Sequence, residues 1–97
     1  MKSKFRKSSG YNCEQAHVPV GDILVYFCDN HQKITIYNGY TSYKSIKVFY
    51  NEKIDGKYHE EHLFLKPHEE SSIILRGSPE FITVYNETDR IDREYKL

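Results

Sequence analysis

Cys13, His17, Cys28 and His31 are the side chains in this sequence best equipped for chemistry. Thiolate and imidazole are the donors that tetrahedral zinc takes, and the four stand in a Cys-x3-His, x10, Cys-x2-His pattern. That spacing matches no standard zinc module, and on a strand His17 stands well away from its partners, so a small zinc-stabilised module is kept only as an alternative. Two reduced cysteines packed on paired strands are the favoured reading, because free cysteine behaves as a small hydrophobe. A disulfide comes second, ahead of zinc. It needs Cβ atoms roughly 3.5 to 4.5 Å apart, which directly opposed strand residues nearly satisfy.

The densest polar cluster is His59-Glu60-Glu61-His62, followed by His68-Glu69-Glu70. A zinc protease helix needs two histidines at i,i+4 on one face. Here the spacing is i,i+3, and on a strand His59 and His62 point to opposite faces, leaving His59 with Glu61 and Glu60 with His62 as same-face pairs. A charged edge strand that discourages aggregation accounts for this pattern more simply than a metal site.

The aromatic supply points elsewhere. Tyr37, Tyr40, Tyr43, Lys44, Lys47, Phe49 and Tyr50 lie within one short stretch. Interleaved Tyr and Lys on a sheet can stack and neutralise a single nucleic-acid strand, helped here by the basic arm Lys2, Lys4, Arg6 and Lys7. Once that arm is set aside, however, residues 8–97 carry 10 Lys+Arg against 14 Asp+Glu, a net charge of −4. An acidic, Tyr-rich domain suits a protein interface better than a phosphate backbone. The expected contact residues are Tyr37, Tyr40, Tyr43, Lys47 and Phe49, with His59, His62 and the Asp55-Gly56 tip beside them. Nucleic-acid binding through Lys44, Lys47 and the arm is the runner-up. No nucleophile elbow, Gly-rich phosphate cradle or Ser/His/Asp arrangement is visible, so the expected function is non-enzymatic and without cofactor.

These side chains must be held by β-structure. Alanine, the best helix former, occurs once, as Ala16, whereas β-branched and aromatic residues are abundant. Apolar runs recur between turn signals at roughly 12–18, 22–28, 33–37, 43–50, 58–65, 71–76 and 81–86. Seven short strands at this spacing predict an all-β fold, a single antiparallel β-sandwich or Greek-key barrel.

Three hairpins follow from turn chemistry. Asp55-Gly56 suits a two-residue type I′ turn, which sets Val48 opposite Leu63 and Ile46 opposite Leu65 and gathers Lys47, Phe49, His62 and Phe64 on the other face. Pro19-Val20-Gly21-Asp22 pairs Val18 with Ile23 and brings Cys13 opposite Cys28. Gly77-Ser78-Pro79-Glu80 closes a hairpin between 71–76 and 81–86. Residues 1–10 read as a flexible basic arm, 11–86 as the β domain, and 87–97 as a short helical turn or a tail. Thr88 would cap that turn, and Arg90–Glu94 and Asp92–Lys96 stand at i,i+4 spacing.

With 97 residues and 38% hydrophobic content, the chain has material for one modest core. Its 14 basic and 14 acidic residues balance, so bulk charge names no partner. Phe, Tyr, Met, Ile, Asn and Lys total 39 residues against 13 for Gly, Ala, Arg and Pro, a skew that points to an A+T-rich bacterial or phage genome and to an inhibitor or accessory factor. No apolar run follows the N-terminal charges, and none is long enough to span a membrane, so a cytoplasmic monomer or homodimer is expected, with strand 33–37 as a candidate dimer edge.

Overall fold

The computed structural model describes residues 13–16 and 19–97. His17, Lys2, Lys4, Arg6 and Lys7, all named above, lie outside the described residues. The described residues form eight strands: β1 (Cys13–Gln15), β2 (Ile23–Cys28), β3 (Lys33–Asn38), β4 (Lys44–Asn51), β5 (Tyr58–Leu65), β6 (Glu70–Ile74), β7 (Phe81–Asn86) and β8 (Ile91–Lys96). They make two antiparallel four-stranded sheets, ordered β1-β2-β3-β6 and β5-β4-β7-β8. No helix among the described residues is long and apolar enough to cross a membrane.

The two sheets are a sandwich and not a closed barrel. The chain crosses between sheets after β3, β5 and β6, so that β6 returns beside β3 and β7 beside β4 in a Greek-key path. Alternation along β4 and β7 supplies one side of the core, whereas β3 buries four consecutive residues, Lys33 to Ile36. β4 buries Lys44, Ile46, Val48 and Tyr50 and turns Ser45, Lys47 and Phe49 outward. Ile34 and Ile36 from β3, Ile73 from β6, and Ile82 and Val84 from β7 complete the inner layer.

Local turn chemistry explains where the registers fall. Gly21, at φ +66°, and Asp22 form a two-residue turn between Val20 and Ile23, and the β1–β2 ladder beyond it opposes Cys13 to Cys28 as the sequence predicts. The β4–β5 hairpin differs from expectation. Glu52 donates its backbone N–H to Lys57 at 2.9 Å and Gly56 donates to Glu52 at 3.1 Å, so the loop spans 52–57 and the register moves by two residues, giving Ile46↔Leu63 and Lys44↔Leu65. A shift of two preserves the side-chain period, and both faces keep their expected residues.

Three further expectations are corrected. Gly77-Ser78-Pro79-Glu80 does not close a hairpin; it turns the chain from one sheet to the other, because Ile73 and Leu75 on one side and Ile82 and Val84 on the other all face the core. The segment after Asn86 is strand β8, not a helical turn. Pairing with the open edge of β7 and burying Tyr95 against Phe27, ring centroids 5.6 Å apart, outweighs i,i+4 pairs worth only a few tenths of a kcal/mol. Strand β3 lies between β2 and β6 and is no edge, so it is not available for pairing across a dimer.

Candidate functional site

The outward face of the β5-β4-β7-β8 sheet gathers most of the aromatic surface. Register aligns His62, Lys47, Tyr85 and Asp92 in one row, and Glu60, Phe49, Thr83 and Glu94 in the next. Tyr58 and Phe64 stand at the two ends of β5, 53% and 67% exposed, and Phe81 is 45% exposed. The rings form pairs. Tyr43, from the loop before β4, stacks on Phe64 with centroids 5.2 Å apart, and Phe49 meets Tyr58 at 6.3 Å.

Glu60 is the polar hinge of this face. One carboxylate oxygen accepts the Tyr58 hydroxyl at 2.7 Å; the other lies 2.9 Å from His62 Nε2 and 3.6 Å from Lys47 Nζ. The hydrogen bond from His62, with that from Tyr58, holds the carboxyl below its ordinary pKa, and the same carboxylate raises the pKa of the Tyr58 hydroxyl. Below these rings a shallow cleft of about 330 Å³ runs past Phe49, Phe81 and Thr83, bordered by Glu52, Glu80 and Glu94. Lys53 lines the same cleft, 3.7 Å from Glu80, so the lining is mixed in polarity with carboxylates in excess, which favours a basic side chain over phosphate.

No family model, curated protein or solved structure matches the chain. The site therefore rests on its own geometry.

Of the residues singled out from sequence, Lys47, Phe49 and His62 lie together on this face, and Tyr43 reaches it through Phe64. The others are dispersed. His59 is on the inner side of β5, stacked on Tyr50 at 5.1 Å with Nε2 2.6 Å from Glu52 Oε2. Tyr37 is on the opposite sheet, its hydroxyl 3.2 Å from His68 Nδ1. Tyr40 sits at the end of the sandwich, its ring 4.7 Å from Lys44 Nζ. The Asp55-Gly56 tip stands clear of the face, with neighbouring Ile54 91% exposed.

Lys44 is removed from any phosphate-binding role by burial. Its side chain is 3% exposed, and its ammonium is 2.8 Å from Asp89 and 3.4 Å from Asp22. Burial alone would lower its pKa, yet the hydrogen bonds to Asp89 and Asp22 prevail and raise it. The zinc set is also dismantled. Cys13 and Cys28 are joined in a disulfide and offer no thiolate, which corrects the expected reduced pair, and His31 packs edge-on against Phe27 at 5.3 Å. Among the described residues no group of three His, Cys, Asp or Glu side chains could hold a metal ion.

Sequence reasoning missed Tyr58, Glu60, Phe81 and Tyr85 as members of the face. The signal was present as the alternation 58, 60, 62, 64 on one strand and 81, 83, 85 on another. What joined them was the pairing of β7 with β4, which no local pattern announces.

Proposed function

We propose that this protein is a non-enzymatic binding module whose outward β5-β4-β7-β8 face engages a protein partner. The observation that carries the reading is the set of half-exposed aromatic side chains, Tyr43, Tyr58, Phe64 and Phe81, around this one sheet face. Exposed apolar clusters with polar borders mark interaction surfaces, and tyrosine gives large contact area at small entropic cost. The charges favour protein over nucleic acid: Glu60, Asp92 and Glu94 stand against Lys47 and Lys96 on the face, and Lys44 is occupied. The partner should present basic and apolar groups. The Cys13–Cys28 disulfide supports work in an oxidising compartment over the cytoplasmic setting expected from sequence.

Photo-crosslinking tests this directly. A benzophenone side chain at Phe64, compared with one at Ile74 on the other sheet, should capture a protein in cells making the chain, and only from position 64. No adduct at 64, or equal capture from both positions, would remove the reading. Binding of an oligothymidylate that weakens steeply between low and physiological salt would replace it with the nucleic-acid alternative.

A further inference from the structure

β5 is an eight-residue edge strand, paired with β4 on one side and with no described strand on the other. Which of its backbone groups are free can be worked out from Ser45. That residue accepts the Glu87 N–H at 2.9 Å and donates its own N–H to Thr88 Oγ1 at 2.8 Å, so its peptide groups face away from β5. Alternation then directs the backbone groups of Lys44, Ile46, Val48 and Tyr50 toward Leu65, Leu63, Glu61 and His59. Tyr58, Glu60, His62 and Phe64 are left with N–H and C=O groups pointing out from the sheet edge. The same four residues place their side chains on the outward face.

Along this edge their order is aromatic, acid, base, aromatic. That order is self-complementary under a two-fold axis. An antiparallel copy centred on Glu61 sets Tyr58 against Phe64 of the second copy and Glu60 against His62 of the second copy, and each of these would be a hydrogen-bonded backbone pair. Cross-strand aromatic pairs and a carboxylate facing an imidazole stabilise such a register, with the Glu60–His62 contact inside each chain, 2.9 Å, exchanged for one across the axis. The slipped alternatives are poorer: moving by two residues opposes Glu60 to Glu60 or His62 to His62 and leaves an aromatic unpaired.

We propose that the free edge of β5 pairs with the β5 edge of a second copy of this chain in the 58↔64, 60↔62 register, making one continuous sheet across a two-fold axis. The inference adds a backbone edge to the proposed binding face and shares with that face the side chains of Tyr58, Glu60, His62 and Phe64; sedimentation reads self-association alone, whereas crosslinking at Phe64 reads a different protein, so the two can fail separately. It also has an internal opponent. Glu61 meets Glu61 of the second copy at the axis, a like-charge contact that keeps the association reversible.

Sedimentation velocity of the full chain, from micromolar to several hundred micromolar, tests this. The expected result is a concentration-dependent monomer–dimer equilibrium. His62→Glu, which sets carboxylates against carboxylates, should weaken it at least tenfold. The swap Glu60→His with His62→Glu restores the opposite pairs and should recover it, and Glu61→Gln should tighten it. Thermal melts of each variant establish that the fold is retained. A monomer at every concentration overturns the proposal, as does a dimer indifferent to His62→Glu or one that the swap fails to restore.

Discussion

The ammonium of Lys44 and the carboxylate of Asp89 meet at 2.8 Å at one end of the sandwich, where Asn86 binds the same carboxylate at 2.8 Å and the Val20 carbonyl at 3.0 Å. This cluster ties the β7–β8 turn to the Gly21-Asp22 turn and to β4. The Lys44 hydrogen bond holds the Asp89 carboxyl below its ordinary pKa. A depressed carboxyl contributes stability that is present above its unfolded pKa, about 3.9, and is lost as pH falls through the lower folded value. The raised Lys44 pKa acts in the other direction, with stability lost as pH climbs past the ordinary lysine value, about 10.4. Asp89→Ala should cost about 2 kcal/mol at neutral pH and flatten the acid limb of a stability–pH profile measured by urea unfolding.

Reducing the Cys13–Cys28 bond releases a constraint across a sequence separation of 15. Chain entropy puts the loss at about 3 kcal/mol. Melting with and without reductant should therefore differ by more than ten degrees. An unchanged melt would mean that β1 unfolds apart from the rest of the sandwich.

Gly77 and Gly56 both sit at φ +70°, which L side chains rarely adopt. They differ in their surroundings. A Cβ at Gly77 would overlap the side chain of Glu52, whereas nothing lies within 4 Å of one at Gly56. Gly56→Ala should cost roughly 1 kcal/mol, the backbone penalty alone. Gly77→Ala should cost clearly more, and it should disturb the 2.6 Å Glu52–His59 contact, visible as a shift of the His59 imidazole resonances.

Tyr95 reports on β8. Burial raises its hydroxyl pKa to about 12, outweighing the opposing charge of Arg93. A raised pKa contributes stability that is complete below the unfolded value near 10 and is lost as pH rises through about 12. In an ultraviolet titration Tyr95 should ionise late, along with Tyr26 and Tyr58, whose hydroxyl pKa values are also raised, and Tyr95→Phe should diminish that late component by one tyrosine. An ordinary titration at this position would mean that the segment lies free of the core.

The sequence alone determined the strand content, the strand positions up to β7, the Cys13–Cys28 opposition and the inner and outer faces of β4 and β5. All of these follow from a two-residue period and from turn residues acting over a few positions, and the period survives even the two-residue register shift at the β4–β5 loop. Tertiary structure decided the rest. A Gly-Ser-Pro turn is the same whether the next strand pairs with its neighbour or crosses the core, so only the demand to bury Ile82 and Val84 opposite Ile34 and Ile73 sends β7 to the second sheet. That crossing leaves β7 an open edge, which draws residues 91–96 into a strand against their local helical pairings. It also brings Phe81 and Tyr85 beside Phe49 and Lys47, and carries Asp89 to Lys44. Neutralising a buried ammonium and sharing one sheet face are long-range requirements, and no local spacing in the chain encodes them.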